Sequence, residues 1–149
     1  IYLPATVEGL DIVESKKETV SETTKPGARL LIMDDEPRVS QVASDYLALL
    51  GYRVDSVLNG DEAVRAYKNS LTAGDPYAVV ILDLTVPGGM GGKEAVKILL
   101  DIDPGVKAIV SSGYANDPLM TDYASYGFAG GIVKPYRLEA LKDILGKIL

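Results

Sequence analysis

The stretch Ala78-Val79-Val80-Ile81-Leu82-Asp83-Leu84-Thr85-Val86-Pro87 decides the fold. A run of aliphatic residues that closes on a carboxylate, with proline four positions later, reads as a strand buried on both faces. Such a strand delivers Asp83 to the carboxyl edge of a parallel sheet. In open parallel sheets, ligands sit outside that edge, where the strand order reverses. Asp83 is accordingly the first candidate for chemistry.

Outward from this strand, further apolar runs of strand length stand at 28–33, 54–58, 106–110 and 130–133. Segments of helical period separate them. Val39, Val42, Ala43, Tyr46, Leu47 and Leu50 form one face before Gly51, and a second helix opens at Asn59-Gly60-Asp61-Glu62. A third runs from about Gly91 to Leu100 and is stopped by Asp103-Pro104-Gly105. The fourth, over 118–126, has a weaker pattern; the fifth is amphipathic through Leu138, Leu141, Ile144, Leu145 and Ile148. Strands alternating with helices in this way predict an α/β fold, a doubly wound five-stranded parallel sheet with right-handed crossovers.

The 149 residues are one domain's worth of chain, 47% hydrophobic and 24% charged, as globular domains are. No apolar run approaches the roughly 20 residues needed to cross a bilayer. A formal net charge of −6 without any basic cluster argues against contact with nucleic acid. Absence of cysteine removes disulfides and thiolate chemistry and suits a cytoplasmic location. Absence of histidine removes the Ser-His-Asp triad, and no residue of this sequence can carry a phosphoryl group on imidazole.

Residues 1–5, Ile-Tyr-Leu-Pro-Ala, read as the last strand of a preceding domain. Residues 6–27, rich in Ser, Thr, Glu and Lys, read as a linker whose composition cannot offset its ordering entropy. The globular domain is expected over 28–149.

Three carboxylates are placed to converge. Asp34-Asp35-Glu36 follows the first strand as Asp83 ends the third, and clustered carboxylates repel unless a cation neutralises them. A hard divalent cation with oxygen ligands, Mg²⁺, answers that repulsion. The triplet alone, followed by Pro37, is equally well a helix cap favoured by the helix dipole. Ser111 after the fourth strand and Lys134 after the fifth add a hydroxyl and an ammonium to the same edge. Each by itself is a turn or a solvated strand end.

Taken together, Asp34-Asp35, Asp83 with Pro87, Ser111 and Lys134-Pro135 resemble the receiver domain of two-component response regulators, over Arg29 to Leu149. The resemblance implies a flavodoxin-like receiver fold with strand order 2-1-3-4-5. It implies Asp83 as phosphoacceptor, with Ser111 and Lys134 completing the catalytic set. It also implies Asp35 and Asp83 as metal ligands with the Thr85 carbonyl, and Asp34 as a ligand largely through water. The donor would be a phosphohistidine on a histidine kinase or a His-containing phosphotransfer domain. Ile1 to Ala5 is similar to the closing strand of a histidine-kinase ATPase domain, which would make the parent a hybrid sensor kinase, with any membrane attachment outside this segment.

Two departures from the family pattern carry expectations. Gly88-Gly89-Met90-Gly91-Gly92 holds one residue more than the usual loop and is expected to be unusually mobile, since glycines restrict the backbone least. Gly131 stands three before Lys134, where receivers often carry an aromatic, so the structural response is expected to pass through the backbone of 111–118 instead. The rivals are a Mg²⁺-dependent aspartyl-phosphate phosphohydrolase, whose general acid would stand where Thr85 does, and a flavodoxin-like module that only binds a partner.

Overall fold

A computed structural model describes residues 27–114 and 116–149. The expected strand at 1–5 and all but the last residue of the expected linker lie outside the described residues. Five strands, β1 (Arg29–Met33), β2 (Arg53–Val57), β3 (Val79–Asp83), β4 (Ala108–Ser112) and β5 (Gly130–Val133), form one parallel sheet in the order β2-β1-β3-β4-β5. This is the expected 2-1-3-4-5 order.

The helices are α1 (Pro37–Leu49), α2 (Gly60–Thr72), α3 (Gly92–Ile102), a single turn α4 (Pro118–Thr121) and α5 (Leu138–Ile148). Side-chain alternation along the strands sorts the core into two layers. Leu30, Ile32, Val79, Ile81, Ile109 and Ile132 meet Ala43 and Leu47 of α1 and Leu141 and Leu145 of α5. On the other face, Leu31, Met33, Val80, Leu82, Ala108 and Val110 meet Ala63, Tyr67, Ala95, Val96 and Leu99. The central strand β3 is buried at every position, as its unbroken apolar run predicts. The edge strand β2 is mostly exposed and carries Arg53 and Asp55, charges that discourage a further strand from pairing there.

Local signals explain the helix starts. Asn59 accepts the Glu62 backbone N–H at 3.0 Å while the Glu62 carboxylate accepts from Leu58 N–H at 2.8 Å, a reciprocal cap for α2. Pro37 begins α1, where its missing N–H costs nothing.

Two local expectations change, and a third is refined. The fourth helix of 118–126 is broken: Asp122 leaves helical geometry after α4, and a 3₁₀ turn covers Tyr123–Tyr126. Strand β4 begins two residues later than the apolar run and includes both Ser111 and Ser112. The glycine-rich loop divides in two: Gly88 and Gly89 are exposed, and a Cβ on Gly88 would meet nothing, whereas Gly91 and Gly92 are buried. A Cβ on Gly91 would stand 2.5 Å from the Leu84 carbonyl oxygen, and one on Gly92 would stand 2.8 Å from that of Asp83. Gly60 N–H donates to the Met90 carbonyl at 2.8 Å, with the Met90 side chain seated against Gly60. These glycines permit close backbone approach, and of this loop only Gly88 uses a positive φ.

Candidate functional site

Each strand of the centre ends on a polar group at one edge, and a cleft of about 550 Å³ lies there. Its lining includes Asp35, Asp83, Thr85, Ser112, Tyr114 and Lys134. Because β1 and β3 are adjacent and parallel, the residues that follow Met33 and Leu82 arrive side by side. Oxygens of Asp34, Asp35 and Asp83 fall within 4.8 Å of one another, Asp35 exposed and the other two buried. The expected convergence of the acids is therefore present in the geometry.

The triplet does not act as a side-chain cap for α1. Glu36 occupies the N-cap position without a side-chain cap hydrogen bond, whereas Asp34 Oδ1 accepts the Glu36 N–H at 2.9 Å and turns the chain toward the helix. Asp34 Oδ2 accepts from Lys134 Nζ at 3.1 Å. The same ammonium stands 3.3 Å from Asp83 Oδ2. Lys134 is carried there by β5, and its N–H bonds to the Ser112 carbonyl at 2.7 Å just beyond the last paired residue.

Charge in the cleft is unbalanced: Asp34, Asp35 and Asp83 converge on the one ammonium of Lys134, and Glu36 lines the same cleft. Burial pushes the Asp83 carboxyl above the usual carboxylate range, and Asp34 pushes the same way, while Lys134 only partly offsets them. Burial would lower the Lys134 ammonium, but its hydrogen bond to Asp34 and the charges of Asp83 and Asp34 outweigh this and raise it. Lys134 is thus held as a cation.

Ser111 is placed differently from the expectation. The strand continues through it, so its side chain lies fully buried on the α1/α5 side of the sheet, sharing a 2.7 Å hydrogen bond with the Tyr136 hydroxyl. The hydroxyl at the cleft belongs to Ser112, whose Oγ accepts from Tyr114 N–H at 3.1 Å. Side chains alternate faces along a strand, so an error of one residue in its end exchanges the two serines. Tyr114, largely exposed, stands at the rim and was not singled out in the sequence. Beside Gly131, the space an aromatic would take is filled by Met120 of α4, whose Cε would stand 3.2 Å from a Cβ there.

Residues 30–146 match the response regulator receiver domain family, and the chain belongs to it. It is a receiver domain of two-component signalling. The chain is 32% identical over 123 residues to the chemotaxis protein CheY of Thermotoga maritima, covering 82% of this chain and 98% of that one. It is 26% identical over 155 aligned positions to the sensor kinase CckA of Brucella abortus, covering 100% of this chain but 16% of that protein. Among solved structures, response regulator TrrA of Thermotoga maritima in complex with Mg²⁺-BeF is 28% identical, with a TM-score of 0.69 over 82% of this chain and 99% of that one. Among the described residues no helix is long and apolar enough to cross a membrane.

Proposed function

We propose that the domain accepts a phosphoryl group on the Asp83 carboxylate from the phosphohistidine of a partner kinase or phosphotransfer domain, in a cytoplasmic phosphorelay. One observation carries the reading: a single ammonium, Lys134, lies 3.1 Å from Asp34 and 3.3 Å from Asp83 in a cleft that also holds Asp35. In the transfer, an Asp83 oxygen forms the new bond to phosphorus, the bond from phosphorus to the donor nitrogen breaks, and the imidazole keeps the electron pair and takes up a proton. Lys134 meets the negative charge on the transferring oxygens, and the Ser112 hydroxyl stands at the cleft to donate to the product.

The donor set fits a hard divalent cation. Three convergent carboxylates with excess negative charge suit Mg²⁺, with Asp35 and Asp83 as ligands, Asp34 behind them and the Thr85 carbonyl as the backbone ligand. When bound, the ion neutralises charge on the phosphoryl oxygens. A phosphohydrolase reading is weakened because Thr85, two residues beyond Asp83, offers no carboxyl acid. The match to a much longer sensor kinase supports a hybrid kinase as parent, with the receiver over 28–149.

Incubation with a small phosphodonor and Mg²⁺, followed by intact mass and peptide mapping, tests the proposal. One phosphoryl group on Asp83 is expected. Turnover of the donor without an adduct, or an adduct mapped to Thr85 or Ser112, would overturn it.

A further inference from the structure

Two hydroxyls meet deep beneath the cleft, those of Ser111 and Tyr136, at 2.7 Å. Ser111 is fully buried and sits in register with Asp83 on β3 and with Ile132 on β5. Toward the middle of the sheet its neighbours on this face are aliphatic, Ile81, Ile109 and Ile132, while Asp83 and Asp34 lie on the same face at the carboxyl edge, close enough for their charges to act on Tyr136. Tyr136 is almost as deeply buried. Valine at 111 and phenylalanine at 136 would fill these positions without stripping water from two polar groups. A matched hydroxyl pair supplies what apolar packing lacks, a fixed direction.

That direction bears on Lys134. Its N–H makes the last bond to the sheet; Pro135 then has no N–H to give, and Arg137 caps α5 without a side-chain bond. Between the sheet and the first turn of α5, Tyr136 ties this connection back to β4 through Ser111. The residue it grips is the one opposite Asp83. A chain of short links therefore runs from Asp83 through Ser111 and Tyr136 to Lys134, whose ammonium closes the circuit 3.3 Å from Asp83.

We infer that Tyr136, held by Ser111, is a positioning residue that fixes the Lys134 ammonium where charge develops during transfer to Asp83. The inference rests on the reading of Asp83 as phosphoacceptor. Tyr136 is buried with its hydroxyl bonded to Ser111, and it acts through the two-residue step back to Lys134.

The test uses Tyr136→Phe and the double variant Ser111→Val/Tyr136→Phe, each alone and combined with Lys134→Ala, in the full chain. The double variant removes both hydroxyls together, so no unpaired polar group remains and cooperative unfolding is retained. Mg²⁺ affinity should stay within about twofold, while adduct formation from a small phosphodonor slows about tenfold, less than the roughly hundredfold that a full 1 Å misplacement of a catalytic group can cost. With Lys134→Ala present, adding Tyr136→Phe should change the rate by less than about twofold, because the two act as one unit. A second readout needs no phosphodonor: the Lys134 side-chain ammonium should give a slowly exchanging NMR signal in the parent that is lost in Tyr136→Phe. Parent-like rates and an unchanged ammonium signal in the double variant would overturn the inference, as would slowing that persists in full without Lys134. If the parent itself forms no adduct, the phosphoacceptor reading fails, and the ammonium signal alone decides the role of Tyr136.

Discussion

The two ends of the same sheet handle charge in opposite ways. At the amino-terminal edge, Arg29 donates to Asp55 at 2.9 Å and to the Asp75 carbonyl at 2.8 Å, and its guanidinium lies 4.3 Å from the centre of the Tyr77 ring. Arg53 grips both oxygens of Asp75 at 3.0 and 3.1 Å and also holds the Gly27 carbonyl at 2.8 Å. Two cations meet two anions, and Tyr77 gives its hydroxyl to Asp55 at 2.7 Å. At the carboxyl edge, one ammonium faces three carboxylates. The first arrangement is complete and stitches β1, β2 and the turn before β3 together. The second is incomplete by design of its residues, and a charge deficit in a cleft calls for a ligand.

Breaking each end should give different kinds of damage. The largest effect is expected from Asp83→Asn, which keeps the shape and removes the nucleophilic charge: intact mass should show complete loss of the adduct. Next is Lys134→Ala, which should slow adduct formation roughly a hundredfold, as removal of one preorganised charge partner does. Rates under single-turnover conditions would show it.

Arg29→Ala, at the other end, should lower the melting temperature by about 3 °C, since it frees Asp55 from its cation in a partly exposed network. Phosphorylation of the folded fraction should be unchanged. A loss of adduct there would erase the distinction between the ends.

The smallest effects are in pH dependence, and they run in opposite directions. Asp83 is raised in the folded state, so its contribution to stability is full below the unfolded value of about 4 and is lost as pH climbs through the folded value. Asp55 is lowered, first by the Tyr77 hydroxyl and then by Arg29, against the opposing pull of its burial. Its contribution is present above the unfolded value and is lost as pH falls through the folded one. In metal-free protein, Asp83→Asn should therefore gain on the parent as pH rises from 4 to 7, whereas the deficit of Asp55→Asn should close as pH falls below about 4. Thermal melts across that range check both signs.

The carboxyl edge was largely legible in the sequence, and the amino edge was not. Asp34, Asp35, Asp83 and Lys134 each follow an apolar strand directly, so local pattern and the rule for parallel sheets suffice to bring them together. Ser111 and Ser112 are adjacent and chemically identical, and only the extension of β4 to Ser112 decides which faces the cleft. In the glycine-rich loop the same residue type serves freedom and close approach, and only contact with the Leu84 and Asp83 carbonyls shows that Gly91 and Gly92 serve the second. Arg29, Asp55 and Tyr77 are 22 to 48 residues apart, with no local signature of pairing. Ser111 with Tyr136, 25 apart, is hidden in the same way.

Mg²⁺-dependent stabilisation tests the central claim most directly, since a ligand that binds only the folded cleft must raise its melting temperature. Melts of the parent, Asp35→Ala and Arg29→Ala with and without millimolar Mg²⁺ separate the two ends. The parent and Arg29→Ala should gain the same increment, and Asp35→Ala should gain little or none. An equal increment in all three would mean that the acidic cleft does not hold the ion, and would contradict the account.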